Sequence, residues 1–168
     1  MLTTSTEDYL WFVDLALDSM VSILVRLGDV DANRRPALDG ANSSYAVVTH
    51  CLGVMEYWGG HVVAGRRIER DRDAEFRAEG AVAELQERVA GARRQLHADL
   101  ATLDPQAAPR GHVNPDDAEL PFGTSQGGVL LHILEELFQH LGHMELARDM
   151  LLAEQPGRPD GPGRGLTG

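Results

Sequence analysis

Between Ser125 and Leu152 lies a stretch that is apolar around much of a helix circumference, through Leu131, Leu134, Leu137, Phe138, Leu141 and Met144, yet it carries His132, Glu136, His140 and His143. At about 100° per residue those four fall within one arc of roughly 80°. A helix this apolar needs neighbours on most sides. A carboxylate and several imidazoles flanked by core are costly unless something pairs with them. The chain must therefore surround this helix with other elements and supply a partner for its polar stripe.

Three further segments have the same helical period. From Thr6 to Leu27, the residues Leu10, Val13, Leu17, Met20, Val21, Leu24 and Val25 recur mostly at steps of three and four, with Glu7 and Asp8 suiting the positive N-terminal end of a helix dipole. Gly28 and the polar stretch through Pro36 to Asn42 break that pattern, and Asn42-Ser43-Ser44 offers caps for a second helix over about Ser44 to Ala64. Gly65 marks its end, followed by the charged run Arg66 to Arg72, which reads as a solvated face with local salt bridges. A third helix is predicted between Ala81 and Leu103, where Val82, Leu85, Val89, Ala92, Leu96, Leu100 and Leu103 trace a narrow apolar line.

Asp104 to Gly123 contains Pro105, Pro109, Pro115 and Pro121 and reads as a long loop of the kind that carries or covers a site. Gln155 to Gly168 is rich in Gly, Pro and Arg and is expected to be disordered. With no strand pattern and no internal repeat, the expectation is an all-α four-helix bundle forming one domain over residues 1–154. Sites in such bundles are built from side chains projecting inward from facing helices.

Composition narrows the chemistry. The 168 residues carry a formal charge of −11, which disfavours phosphate backbones and anionic lipid surfaces, so neither nucleic acid nor membrane is an expected partner. All 15 basic residues are arginine, which excludes lysine Schiff-base chemistry. A single cysteine, Cys51, leaves no internal disulfide, and among apolar neighbours it reads as a small hydrophobe, since such surroundings raise a thiol pKa. No apolar run reaches the ~18–20 residues of a membrane span, and the acidic start lacks a signal peptide's basic region, so a cytoplasmic address is expected.

A divalent ion would satisfy the buried polar stripe. Residues four apart on a helix have Cβ atoms about 5–6 Å from each other, so Glu136 and His140 can share one ion. A third ligand must come from elsewhere, and His50, inside the second helix among Val47, Val48, Leu52 and Val54, is the natural supplier. His61 lies 11 residues further on, roughly 16 Å up the axis, and is too far to join it. Three ligands leave a coordination position open, as in catalytic sites. Taken singly, a histidine on an apolar helix is more often a hydrogen-bonded core residue than a ligand, and it is the spacing across the two helices that brings in the ion. His132 and His143 read as residues that wall or support the site, and Glu135 is rotated about 100° away from Glu136.

Leu130 to Met150, LLHILEELFQHLGHMELARDM, resembles the C-terminal motif of the DinB-like superfamily, and Ser43 to Arg66, with His50 and Trp58, is similar to that family's metal helix. RDRDAEF at Arg70 to Phe76 is similar to the segment that follows it. The resemblance implies a bundle with a divalent ion, zinc first and nickel second, held by His50, Glu136 and His140. A glutamate at 136 rather than histidine resembles the mycothiol-dependent branch, which includes maleylpyruvate isomerases and mycothiol S-transferases. The lack of a second domain argues against the isomerase reaction.

The activity so implied is attack of mycothiol, or a similar low-molecular-weight thiol, on a small electrophile after metal activation, since a coordinated thiol is deprotonated outright. Arg66 and Arg67 would then touch polar parts of the thiol or simply lie at the surface. Two other classes fit the same ligands: a metal-binding stress or detoxification module without turnover, and a metal-dependent hydrolase with His132 or His143 as acid or base. Exposed bundle faces suit a homodimer.

Overall fold

The computed structural model describes residues 5–113 and 121–154, so Pro115 and the expected tail lie outside the described residues. Helix α1 (Thr6–Asn33) starts with a reciprocal cap: the Ser5 hydroxyl accepts from the Asp8 backbone N–H at 3.0 Å, and the Asp8 carboxylate accepts from the Ser5 N–H at 3.2 Å. The Ser5 hydroxyl, which also donates to the Asp8 carboxylate at 2.6 Å, and then the Ser5 N–H hold that carboxyl below its ordinary value. The break expected at Gly28 is present, with φ 69° and ψ 175°, but the chain resumes helical geometry beyond it. The added turn has a purpose. Asn33 exchanges hydrogen bonds with the Gly80 backbone at 2.8 and 3.0 Å, and the Asp29 carboxylate accepts from the Val82 N–H at 2.8 Å, capping the next long helix but one.

Helix α2 (Ser44–Val54) begins on Ser43, whose hydroxyl accepts from the Ala46 N–H, and runs without interruption into a π-helical segment (Met55–Val63). Almost every residue of both is buried, so this is the central element. A single turn, α3 (Arg72–Glu75), is capped by the Asp71 carboxylate and packs on α2. Then come α4 (Val82–Asp99), extended by a 3-10 turn (Leu100–Thr102), and α5 (Gln126–Ala153), which starts on the Ser125 hydroxyl. Buried Gln126 ties the preceding loop to α5 through the Asp104 N–H and the Ala108 carbonyl.

The architecture is the expected all-α bundle: α1 packs on α2, α4 and α5, and α2 with its π segment packs on α4 and α5, with α3 as an added turn. Val13, Leu17, Met20 and Leu24 meet Val48, Cys51 and Met55, Leu85, Val89 and Leu96, and Ile133, Leu137, Met144 and Leu151 in one core. Each such side chain contributes about 1.5–3 kcal/mol by leaving water. No helix among the described residues is long and apolar enough to cross a membrane.

Three expectations need correction. On α1 the buried face runs through Tyr9, Ile23 and Leu27, while Val25 is exposed, because the face turns toward α5 and α4. On α5, Leu131 and Phe138 are exposed; they lie seven residues apart, on the side the bundle leaves uncovered, with Phe138 meeting Phe12 of α1 edge-on. The run Arg66 to Arg72 is a solvated face only in part. Arg67 and Glu69 form an exposed pair, but Arg66 grips buried Asp99 through two hydrogen bonds of 2.9 and 3.0 Å, and Arg70 turns inward to Glu75.

Candidate metal centre

The interior stretch of α2 carries His50 into the bundle with only 2 % of its surface exposed. From α5, Glu136 and His140 meet it. One carboxylate oxygen, Glu136 Oε2, lies 3.4 Å from His50 Nε2 and 3.3 Å from His140 Nε2. The two imidazoles stand nearly perpendicular, ring centres 4.9 Å apart. Four ligands at bond lengths of ~2.0–2.1 Å around a tetrahedral ion are separated by roughly 3.3–3.4 Å along each edge. The two edges to Glu136 match that spacing, and the three residues form a group whose ligand atoms, all within 4.8 Å of one another, could share one ion.

His50 is held from behind. Its Nδ1 donates to Glu75 Oε2 at 2.9 Å, and Nε2 faces Glu136 and His140, where it would give up its proton on binding an ion. Glu75 is itself held by Arg70, whose Nε and Nη2 donate to its two oxygens at 2.7 and 2.9 Å. Phe76 stacks on the outer face of the His50 ring with centroids 4.5 Å apart. Gly53, one turn along α2 from His50, makes room for this: a Cβ there would collide with the Glu75 carboxylate.

Electrostatics follow from these contacts. Burial alone would push the His50 imidazolium pKa down, but hydrogen bonds to Glu136 and Glu75 outweigh it and the net shift is upward. Glu136 is held far below the usual carboxylate range, first by the His140 hydrogen bond and then by that of His50. For Glu75 burial works upward, and His50 together with Arg70 overcomes it. Cys51 is fully buried one residue from His50, with its thiol pushed well above its ordinary value by burial, as expected of an inert core residue.

The other sequence candidates take different places. His132 donates from Nδ1 to the half-exposed Glu135 at 3.0 Å, with Nε2 at 3.9 Å from Glu136 Oε1, and it meets the Trp58 ring edge-on. Glu135, expected to face away, instead reaches the site's edge through His132, and His132, Glu135 and Glu136 form a second group whose ligand atoms lie within 4.8 Å of one another. His143 is exposed, its ring edge-on to His140 at 5.5 Å. The His140 Nδ1 is buried and has no partner among the described residues. His61 stays out: its ring nitrogens face the Arg66 carbonyl at 2.7 Å and the His112 carbonyl at 3.0 Å. Arg66 is engaged with Asp99 and Arg67 lies at the surface, so neither is free beside the triad.

Sequence reasoning missed Glu75, Arg70, Phe76 and Gly53. The segment Arg70 to Phe76 stands out in the sequence only as a likeness, because a one-turn helix has no periodicity from which a role can be read.

Beside the triad opens a cleft of about 390 Å³ that touches it at His140 and is also lined by Phe76, the residue stacked on His50. Comparison with known proteins gives one result: the family model for mycothiol-S-transferases matches residues 10–152. No curated protein and no solved structure matches the chain.

Proposed function

Because the chain belongs to the mycothiol-S-transferase family, we propose that it transfers a low-molecular-weight thiol, mycothiol first among them, to a small electrophile with the help of a divalent ion held by His50, Glu136 and His140. The observation that carries this reading is the convergence of two imidazole nitrogens on one carboxylate oxygen at 3.3 and 3.4 Å. Two imidazoles and a carboxylate suit zinc, with nickel as the second choice. An ion with one open position would supply thiol activation, since a coordinated thiol loses its proton at neutral pH.

The chain's own residues do the rest. Glu75 holds His50 in the tautomer that presents Nε2, and Arg70 holds Glu75. Glu136 gives the site its negative charge, offsetting part of the cation's. The tight packing of Phe76 on His50 keeps water from that ring. Sulfur–carbon bond formation needs no nucleophile from the protein, which agrees with a buried, strongly protonated Cys51.

Residues 1–154 form the proposed working unit, and the exposed apolar seam of Trp11, Phe12, Leu131 and Phe138 is where a homodimer would join. A hydrolase is the second reading, favoured by one observation: His132, held by Glu135, has its other nitrogen turned toward Glu136. Elemental analysis of the purified protein, followed by thiol consumption with mycothiol against a panel of electrophiles, tests the proposal. Stoichiometric metal with thiol loss supports it. Ester hydrolysis without thiol loss transfers the same ligands to the hydrolase, and metal with neither activity makes the chain a binding module.

A further inference from the structure

The cleft beside His140 has a lining unlike the rest of this arginine-rich, acidic surface. Leu38, Val47, Phe76, Met144, Leu146 and Met150 form its walls, no arginine lines it, and its one carboxylate is Asp39. Three of these side chains are left open to water at the mouth, Leu38 at 64 %, Leu146 at 66 % and Met150 at 38 % exposure, while Val47 and Met144 are buried at the base. Apolar side chains gathered around an open concavity with a few polar groups at one end are the usual make-up of a small-molecule site, and about 390 Å³ lies within the ordinary size range for one. Its polar lining is His140 and His143 on the triad's helix, with Asp39, Asn42 and Ser44 from the segment before α2 and its start. Phe76 is shared: one side stacks on His50, and the residue also lines the cleft.

We infer that this cleft receives the uncharged, apolar body of the electrophile and brings its reactive carbon to the His140 end, next to the triad. The inference rests on the thiol-transfer reading and adds the substrate class to it. Arg72 packs over the Phe76 ring and Arg35 donates to the Phe76 carbonyl, but no arginine lines the cleft itself, and an anionic electrophile would meet a carboxylate at the rim within a chain of net charge −11. The two methionines let the walls adapt to different apolar shapes, so selection is by charge and polarity more than by outline.

The test compares two ligands with one bicyclic body, uncharged 2-naphthol and anionic 2-naphthalenesulfonate, by equilibrium dialysis against the full chain as purified. The expected result is that naphthol binds at least 10-fold more tightly than the sulfonate, and that Ala147→Trp, which fills the cleft, weakens naphthol at least 10-fold while the metal content stays unchanged. Should Ala147→Trp melt early, Met150→Asp on the exposed rim gives the same comparison without burying bulk. Equal binding of the two ligands, or wild-type naphthol affinity in both variants, overturns the inference. A parallel assay of mycothiol loss with monochlorobimane keeps the two readings apart. Naphthol binding without thiol loss refutes thiol transfer and leaves the cleft assignment standing, whereas thiol loss with an unchanged KM for the bimane in both variants refutes the cleft assignment alone.

Discussion

The two walls of the site are built to opposite specifications. On the α2 side His50 is enclosed on every face: Glu75 binds its Nδ1, Arg70 binds Glu75 twice, Phe76 covers the ring, and Gly53 lets the assembly close up. On the α5 side the side chains of Glu136 and His140 are 23 % and 17 % exposed, His140 Nδ1 lacks a partner among the described residues, and the cleft opens beside them. A site that must hold an ion in place and also exchange substrates can divide those duties between walls. The braced wall sets geometry and the looser wall admits ligands.

The largest effect should come from the residue that joins the walls. Glu136→Gln keeps the side-chain shape but removes the only anionic ligand, so ion affinity should fall by more than the roughly 10–100-fold that loss of a supporting partner costs, and thiol transfer should collapse with it. Metal titration against a competing chelator reads this directly. Affinity equal to wild type would mean the carboxylate does not join the walls at all.

Next in size is the brace. Glu75→Gln should weaken ion binding roughly 10–100-fold although Glu75 never touches the ion position, because His50 loses its tautomer lock. The change also leaves Arg70 facing a neutral amide, at a cost of about 1–3 kcal/mol and hence a melting temperature lower by about 3–10 °C without metal. If only the melting temperature moved, Glu75 would brace the fold and not the ligand.

The walls should also differ in pH response. Without metal, the raised His50 pKa contributes stability that is fully present below its unfolded value of 6.5 and is lost as pH rises through the folded value. The lowered Glu75 contributes stability present above 4.5 and lost as pH falls. Chelator-treated protein should therefore melt highest between these two values and lower at pH 8. Added zinc should raise the melting temperature more at pH 8 than at pH 6, since binding releases the His50 proton. A chelated protein that melts higher at pH 8 than at pH 6 would contradict the His50 contacts.

The smallest effect belongs to the open wall. Exposed His143 touches the triad only through the edge of His140, so His143→Ala should change ion affinity by less than about 10-fold and leave the metal-free melting temperature as it is. A loss as large as that of Glu136→Gln would move His143 into direct contact with the ion.

The same division decides what could be read in the sequence. The α5 wall was legible because a long helix converts residue spacing into a shared face, and Glu136 and His140 are one turn apart. His50 was legible as a histidine in the middle of an apolar helix. Its brace was not, because α3 is four residues long and Glu75 arrives through the path of a loop that no local pattern dictates. The π-helical turns after Val54 were equally hidden, and they alter the rise on which the roughly 16 Å between His50 and His61 was reckoned, although His61 does stay apart. The cleft escaped notice because Leu38 and its neighbours belong to an irregular segment whose partner, α5, is a hundred residues away in the chain.

The missing side chain at Gly53 has a consequence for how this family member can change over generations. Alanine ordinarily gains about 1 kcal/mol over glycine inside a helix, but at this position its Cβ would drive the Glu75 carboxylate off His50. With a shorter acid, as in Glu75→Asp, the obstruction is withdrawn and the same Gly53→Ala step becomes favourable to the helix. The sign of one substitution thus depends on a residue 22 positions away, and mutational routes that alter position 53 first are closed while those that alter 75 first surrender the histidine lock before they gain anything.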